Sequence, residues 1–324
     1  MRMIQQRSPL KSIVLLIAMV LFFEQGNALV NNPKGSYREL PVFNAQNAYD
    51  YIGQQVAFGP RLPNSAAQEA CAAYLEQCLL QFADTVFRQE TTLTAKDKKK
   101  LRCINLIGSF NPKASRRLLL LAHWDSRPWA DRNKKSKPVP GANDGASGVG
   151  VLLELARLLQ AYRVDSTLGI DILFTDVEDY GKAKWGAESY GLGAQYWAQH
   201  PHIARYRAFG GILLDMVGGR NARFALEGYA AKYAPRLQQE VWHAAAQAGY
   251  AAYFVQEEEA MITDDHVFIN SIARIPTIDI IDLPKDSGTG FVDYWYTTDD
   301  DMRHIDTATL KAVGQTLVQY IYLL

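Results

Sequence analysis

Short apolar runs alternate along this chain with longer amphipathic stretches, and this alternation constrains the fold more than any other feature of the sequence. Six runs have the character of strands: Thr85–Thr92, Leu101–Gly108, Leu118–His123, Leu168–Thr175, Gly210–Val217 and Ile275–Ile281. Several are almost wholly apolar, LLLLAH and GILLDMV among them, as strands are when a sheet is covered on both faces. These runs therefore predict a sheet buried in the middle of the protein.

The stretches between the strands carry apolar residues at helical spacing. They are Ser65–Phe82, Gly145–Tyr162, Ala187–Gln199, Pro235–Ala248 and Asp306–Tyr322. Alternation of strands with helices predicts an α/β fold with a mostly parallel central sheet and helices on both faces. The 324 residues, 48% of them hydrophobic, suffice for one large core and exclude wholesale disorder. No repeat and no Pro- or Gly-rich linker divides residues 29–324, so we expect them to form a single domain.

Residues 1–28 have the layout of a secretory signal peptide. A basic start precedes an unbroken apolar run, Ile13–Phe23, and small residues follow close to position 28. The run is shorter than the roughly 20 apolar residues that a membrane-spanning helix needs. We expect export across the inner membrane of a bacterium and a periplasmic location, with an uncleaved anchor at residues 13–23 as the alternative.

The charges of the chain balance, with 34 basic and 34 acidic side chains and a formal net charge of zero. A neutral chain has no general electrostatic attraction for nucleic acid or for an anionic membrane surface. We therefore expect no nucleic-acid partner and no stable membrane partner, and we expect a monomer.

Carboxylate and imidazole side chains cluster where the predicted strands end. They are His123, Asp144, Glu178, Asp179, Asp215 and Asp264. Asp144 and Asp264 each precede a helical segment, and each could instead be a helix N-cap. In open α/β sheets, however, ligands bind beyond the carboxyl ends of the strands. We therefore expect the six side chains to form one site.

Carboxylates and imidazole together favour a cation such as zinc, which accepts oxygen and nitrogen ligands and keeps one position open in catalytic sites. Glu178 and Asp179 are adjacent in the sequence. If one of them binds the metal, the other lies within reach of the group that the metal polarises. The pair thus predicts one metal ligand and one general acid/base.

Several motifs resemble those of a known group of proteins. HWDS, GANDGASG, the Glu178–Asp179 pair and LLDMVG resemble the zinc aminopeptidase-like fold in their order and spacing, and GPRLPNS fits the same group. Trp185 after the acidic pair, ITDDH, and FVDYW followed by TTDD are similar to the animal-type glutaminyl-peptide cyclotransferases, or glutaminyl cyclases. The resemblance extends from about residue 44 to the C-terminus.

The resemblance implies an enzyme with one zinc ion that converts N-terminal glutamine of peptides or proteins to pyroglutamate and releases ammonia. It implies that Asp144 and Asp179 are zinc ligands and that Glu178 transfers the proton. Asp215 and Asp264 would share a hydrogen-bond network with Glu178. The walls of the substrate pocket would be Ile262, Phe291, Trp295 and Trp185.

Tyr296 departs from the family pattern, which has a histidine as third zinc ligand at this position. A neutral phenol is a poor ligand and must ionise from a reference pKa of about 10 to become a good one. Zinc could drive that ionisation, or another histidine could take the place of Tyr296 as third ligand. The site could instead be weakened or empty. A second ion at His123 and Asp215 also stays open, because the matching residues hold one in two-zinc aminopeptidases.

Other readings of the sequence remain. A secreted two-zinc aminopeptidase would keep the same fold and ligands but hydrolyse the N-terminal residue. A metal-depleted relative without catalysis would explain Tyr296, and a structural or peptide-binding module would need no chemistry at all.

Overall fold

The computed structural model describes residues 29–30, 38–134 and 136–324, so the predicted signal segment 1–28 lies outside the described residues. Residues 1–39 and 40–324 are separate units. In the first, β1 (Leu29–Val30) pairs antiparallel with β2 (Arg38–Glu39). The second carries all the other elements. Among the described residues, none of the helices has the length and apolar character needed to cross a membrane.

The central sheet of residues 40–324 has six strands. They are β3 (Thr85–Thr94), β4 (Lys100–Phe110), β5 (Arg116–His123), β6 (Leu168–Thr175), β7 (Gly210–Asp215) and β10 (Thr277–Ile281). Strands β8 (Phe224–Leu226) and β9 (Phe254–Glu258) form a separate parallel pair. The strand order is β10-β7-β5-β6-β4-β3. The pairs β10–β7, β7–β5 and β5–β6 are parallel, whereas β4 runs antiparallel to both β6 and β3. The predicted mostly parallel sheet is confirmed, and its antiparallel part is confined to one edge.

Eight α-helices accompany the sheet in the described part of the chain. They are α1 (Ala45–Ala57), α2 (Ala66–Phe82), α3 (Ala146–Ala161), α4 (Leu192–Gln199), α5 (Gly228–Tyr233), α6 (Pro235–Gln247), α7 (Asp265–Phe268) and α8 (Thr307–Tyr322). Helices α1, α2, α3, α6 and α8 supply side chains to one buried cluster with the sheet, and α4 supplies Ala194 and Trp197 to a second. The sheet is therefore covered on both faces, as the apolar strands predict.

One predicted helix differs from the structure. The stretch Ala187–Gln199 becomes helical only from Leu192, after two short 3₁₀ turns at Ala183–Trp185 and Ala187–Ser189. Gly186 and Gly191 adopt φ values of 90° and 58°, in the left-handed region that interrupts an α-helix. The segment before α4 is consequently a loop beside the acidic pair.

The parallel strands bring their carboxyl ends to one edge of the sheet. There β5 ends at His123, β6 ends at Thr175 just before the acidic pair, and β7 ends at Asp215. Helix α3 begins directly against these ends. A Cβ atom on Gly145 would lie 2.4 Å from the carbonyl oxygen of His123, so only glycine allows this approach.

Candidate active site

A buried carboxylate fixes the backbone of the acidic pair. Asp125 accepts hydrogen bonds from the backbone N–H groups of Glu178 at 3.0 Å and of Asp179 at 3.1 Å. The preceding residue, Val177, has a φ of 58°, which turns the chain sharply after β6. The same Asp125 faces His123 Nδ1 at 3.4 Å. One side chain therefore fixes the backbone of both acidic residues and lies beside the imidazole.

The loop that carries Asp144 is fixed from several sides. The carboxylate of Asp300 accepts hydrogen bonds from the backbone N–H groups of Asn143 and Asp144 at 2.8 and 3.1 Å. Asn143 Oδ1 accepts from the backbone N–H of Gly218 at 2.8 Å, which ties the loop to the segment that follows β7. The N-cap of α3 is Gly145, without a side-chain cap. Asp144 is therefore free of a capping role and is directed to the site.

His123, Asp144 and Asp179 offer ligand atoms that lie within 4.8 Å of one another. His123 Nε2 is 3.1 Å from Asp144 Oδ1 and 3.2 Å from Asp215 Oδ1. Both carboxylate oxygens of Asp179 are buried and have no hydrogen-bond partner in the described residues. Orphaned buried carboxylate oxygens beside an imidazole and a second carboxylate fit zinc, which binds such nitrogen and oxygen donors.

Burial and neighbouring charges shift the pKa values of the side chains in this group. Burial and the charge of Asp144 raise the pKa of Asp179 to about 8, against the opposing charge of Arg127. Burial alone would lower the pKa of His123, but the nearby carboxylates of Asp125, Asp144 and Asp215 raise it well above its ordinary value. A bound cation would displace these protons, because metal ligands must be deprotonated.

A second group of buried acids adjoins the first. Carboxylate oxygens of Glu178, Asp264 and Asp265 lie within 4.8 Å of one another. Burial and the charges of Asp179 and Asp264 raise the pKa of Glu178 well above its ordinary value. Asp264 is the N-cap of α7 and accepts from the backbone N–H of Asp265 at 2.5 Å, so its capping role and its place beside Glu178 coexist. A carboxyl with a raised pKa is a suitable general acid/base.

A cavity of about 260 Å³ opens beside these acids. Eight of the eleven predicted site residues line it: Asp144, Glu178, Asp215, Ile262, Asp264, Phe291, Trp295 and Tyr296. Asp179 and His123 are not among the residues that line the cavity, and they belong to the adjoining group with Asp144. Trp185 lies outside the cavity and packs with Trp129 and Tyr180.

Tyr296 is buried between two neighbours. Its ring stacks on Trp295 with 3.9 Å between centroids, and the guanidinium carbon of Arg127 lies 3.8 Å from the ring centroid. Burial and the charge of Asp179 raise the pKa of the phenol well above 10. The structure thus brings the phenol and His123 to the same group of carboxylates, and the third-ligand role of Tyr296 stays a prediction.

Four residues to which the resemblance assigns no individual role also contribute to the site. They are Asp125, Tyr190, Asp265 and Asp300. Three of them belong to motifs that the sequence already marks, HWDS, ITDDH and TTDD. Tyr190 carried no such signal, because its place in the cavity wall depends on the loop before α4.

Comparison with known proteins agrees with this geometry. The model of peptidase family M28 matches residues 105–321. The structure is similar to a glutaminyl cyclase from Bacteroides thetaiotaomicron, with 48% identity, a TM-score of 0.85, and coverage of 88% of this chain and 99% of that one. It is equally similar to a Zn-dependent exopeptidase from Parabacteroides distasonis, with 48% identity, a TM-score of 0.85, and coverage of 87% and 99%.

An animal relative is more distant. The glutaminyl-peptide cyclotransferase of Drosophila melanogaster is 28% identical over 237 residues, which cover 65% of this chain and 62% of that protein. The resemblance to glutaminyl cyclases is therefore confirmed, but its animal-type form is not specifically supported, since the bacterial cyclase shares more of the sequence.

Proposed function

This chain belongs to peptidase family M28, and on that premise we propose that it is a glutaminyl-peptide cyclotransferase. It would convert the N-terminal glutamine of a peptide or protein to pyroglutamate and release ammonia. The observation that carries the proposal is the position of Glu178 at a small cavity whose apolar walls include Ile262, Phe291 and Trp295. The similarity to bacterial glutaminyl cyclases over almost their whole length supports it.

Zinc fits the donor set of Asp144 and Asp179 with either Tyr296 or His123. When bound there, it would supply a Lewis acid that polarises the side-chain carbonyl of the substrate glutamine. The two aspartates come from different parts of the chain, one before α3 and one after β6. Their backbones are held by Asp300 and Asp125, so the donor set is positioned before a substrate arrives.

Glu178 would transfer the proton. The α-amino nitrogen of the substrate forms a bond to the side-chain amide carbon, and the bond from that carbon to the amide nitrogen breaks. Glu178 accepts the proton that the amine loses and delivers it to the leaving nitrogen, which departs as ammonia. Burial and the nearby charges of Asp179 and Asp264 raise the pKa of Glu178, which makes its carboxylate a stronger proton acceptor.

The cavity walls would hold the substrate in a reactive shape. Cyclisation requires the flexible glutamine side chain to curl until its amide carbon faces its own amine. Trp295 and Phe291 pack together with 4.4 Å between ring centroids, and they give a rigid apolar wall against which the chain can fold. We propose substrate contact for Ile262 as well, whereas Trp185 would act only indirectly, since it lies outside the cavity.

Hydrolysis of the N-terminal residue is the second candidate. It is favoured by the position of His123 Nε2, 3.1 Å from Asp144 and 3.2 Å from Asp215, which could hold a second ion. Two zinc ions per chain and release of free amino acids would support an aminopeptidase. One zinc ion per chain and ammonia release would support the cyclase.

We further propose that residues 1–28 are a signal peptide and that the protein acts as a monomer in the periplasm. Peptides or proteins with N-terminal glutamine would be its partners, with no nucleic acid and no stable membrane partner. Mass spectrometry of the mature N-terminus tests the location. A chain that begins near residue 29 supports export, and one that begins at Met1 favours anchoring by residues 13–23.

The test of the activity is zinc content measured beside ammonia release. The purified chain is incubated with a glutamine-initiated peptide and, as control, with the same peptide initiated by asparagine. Asparagine is one methylene shorter and would close a strained four-membered ring. We expect ammonia from the glutamine peptide alone, and no ammonia from either peptide would contradict the proposal.

A further inference from the structure

Arg127 is buried against several parts of the site, although no step of the mechanism above uses it. Its Nη1 donates hydrogen bonds to the carbonyl oxygens of Asp179 at 3.0 Å and Gly181 at 3.2 Å. Its Nε and Nη2 both donate to Asp131 Oδ2, at 3.0 and 2.7 Å. Its side chain is only 2% exposed. A buried guanidinium with this many partners is held in one orientation.

The guanidinium faces the carboxylate of Asp179 without occupying it. Nη1 is 3.7 Å from Asp179 Oδ1, which is beyond hydrogen-bond reach. Both carboxylate oxygens of Asp179 therefore keep their lone pairs available for a metal.

The same guanidinium also fixes Tyr296. Its carbon lies 3.8 Å from the centroid of the Tyr296 ring, a distance at which a cation and an aromatic face attract. The backbone N–H of Asp131, the partner of Arg127, donates to the carbonyl oxygen of Tyr296 at 2.9 Å. On its other side the ring stacks on Trp295, which packs on Phe291. A continuous stack thus runs from Arg127 to the cavity wall.

We propose that Arg127 is a positioning residue that aligns Asp179 and Tyr296 for the metal and, through Tyr296, fixes the Trp295 wall of the substrate pocket. The pocket part rests on the proposed function, whereas the metal part applies to any zinc enzyme built on this site. Lysine is a poor substitute. A single ammonium has no planar face to stack on Tyr296, and it cannot reach Asp131 and two carbonyl oxygens in the same fork geometry.

The test compares Arg127→Lys with Arg117→Lys as matched control. Arg117 is also buried and bonds a carboxylate, Asp171, at 2.6 Å, but it lies near the start of β5, at the opposite end of the sheet. Zinc affinity, KM and kcat for a glutamine-initiated peptide, and thermal unfolding are measured for each. We expect Arg127→Lys to lower zinc affinity about 10–100-fold, as outer partners of metal ligands do, and to raise KM. Arg117→Lys should change stability alone.

Two further variants keep the test decisive. If Arg127→Lys does not fold, Asp131→Asn is measured instead, because it weakens the hold on the guanidinium while leaving Arg127 in place. The side chain of Asp131 is 45% exposed. Asp131→Asn should also lower zinc affinity, but by a smaller factor than Arg127→Lys. In a Tyr296→Ala background, the effect of Arg127→Lys on KM should shrink, because the ring through which it acts is gone.

Zinc affinity and KM within twofold of wild type in folded Arg127→Lys would overturn the proposal. So would an equal loss of zinc affinity in Arg117→Lys, or a wild-type chain that binds no zinc. Loss of zinc affinity in Arg127→Lys, together with a wild-type chain that releases no ammonia, would support the metal role of Arg127 and refute the proposed function instead.

Discussion

Replacing Glu178 by glutamine tests the assignment of the proton-transferring group. The amide keeps the volume of the side chain at the cavity wall but cannot accept a proton from the attacking amine. Loss of general acid/base catalysis should lower kcat about 10²–10⁴-fold. That factor corresponds to about 3–5 kcal/mol of activation free energy, at about 1.4 kcal/mol for each tenfold change.

Zinc affinity should survive in the Glu178→Gln variant, because Glu178 lies outside the group formed by His123, Asp144 and Asp179. The backbone N–H of residue 178 also keeps its bond to Asp125. KM should therefore change little while kcat falls. The assay is ammonia release at saturating glutamine peptide, with a zinc titration on the same preparation.

Glu188→Gln is the matched control, because it makes the same change in the loop that follows the acidic pair. Glu188 is 60% exposed and pairs with Lys96 at 2.9 Å, so its activity should equal that of the wild type. A Glu178→Gln variant with turnover near that of the wild type would refute the assignment. Loss of zinc from the Glu178→Gln variant would show that Glu178 is a zinc ligand rather than the general acid/base.

Three further predictions concern the metal and the fold. Asp144→Ala should lower zinc affinity by more than about 100-fold, beyond the effect of an outer partner, and zinc retained at unit stoichiometry would show that the site is wrongly placed. Tyr296→His should raise zinc affinity and cyclase activity together, and most at low pH, because burial raises the pKa of the phenol and protons compete with zinc for its oxygen. Zinc titrations and cyclisation assays across about pH 6–9 check this prediction. A loss of both zinc affinity and activity would make Tyr296 an adapted ligand or a substrate contact. His202 should make the fold acid-sensitive, because burial lowers its pKa from 6.5 to about 4. The unfolded chain then takes up a proton that the folded one refuses, so the free energy of unfolding should fall by about 3 kcal/mol between pH 6.5 and 4. Denaturant unfolding of His202→Gln, which keeps an acceptor for Trp197 Nε1, should show a smaller loss over that range, and an identical loss would contradict this cause.

The sequence predicted the parts of the fold that apolar patterning controls. Strand β6 has the predicted bounds, Leu168–Thr175, and every one of its residues is buried. Helix α1 was not predicted, because AQNAYDYIGQQVA has only two large aliphatic side chains, Ile52 and Val56, and buries only Ala48, Ile52 and Gln55. Its place depends on contacts with α3 and α8, which no local pattern records.

The site was predictable where residues follow strand ends in the chain. Glu178 and Asp215 converge at the cavity because they follow or end β6 and β7, which both run parallel to β5 and end at one edge of the sheet. The position of Trp185 was not predictable, because two glycines with positive φ shape the loop that carries it. The role of Arg127 could not be predicted from the sequence either, because its partners lie up to 169 positions away along the chain and come together only in the folded protein.

The identity of the product tests the central claim most directly. The purified zinc-loaded chain is incubated with a glutamine-initiated peptide, and the products are identified by mass spectrometry. The proposed function predicts a peptide of unchanged length that has lost one ammonia and carries N-terminal pyroglutamate, formed about 10²–10⁴-fold more slowly by Glu178→Gln. Free glutamine together with a peptide one residue shorter would contradict it and identify an aminopeptidase.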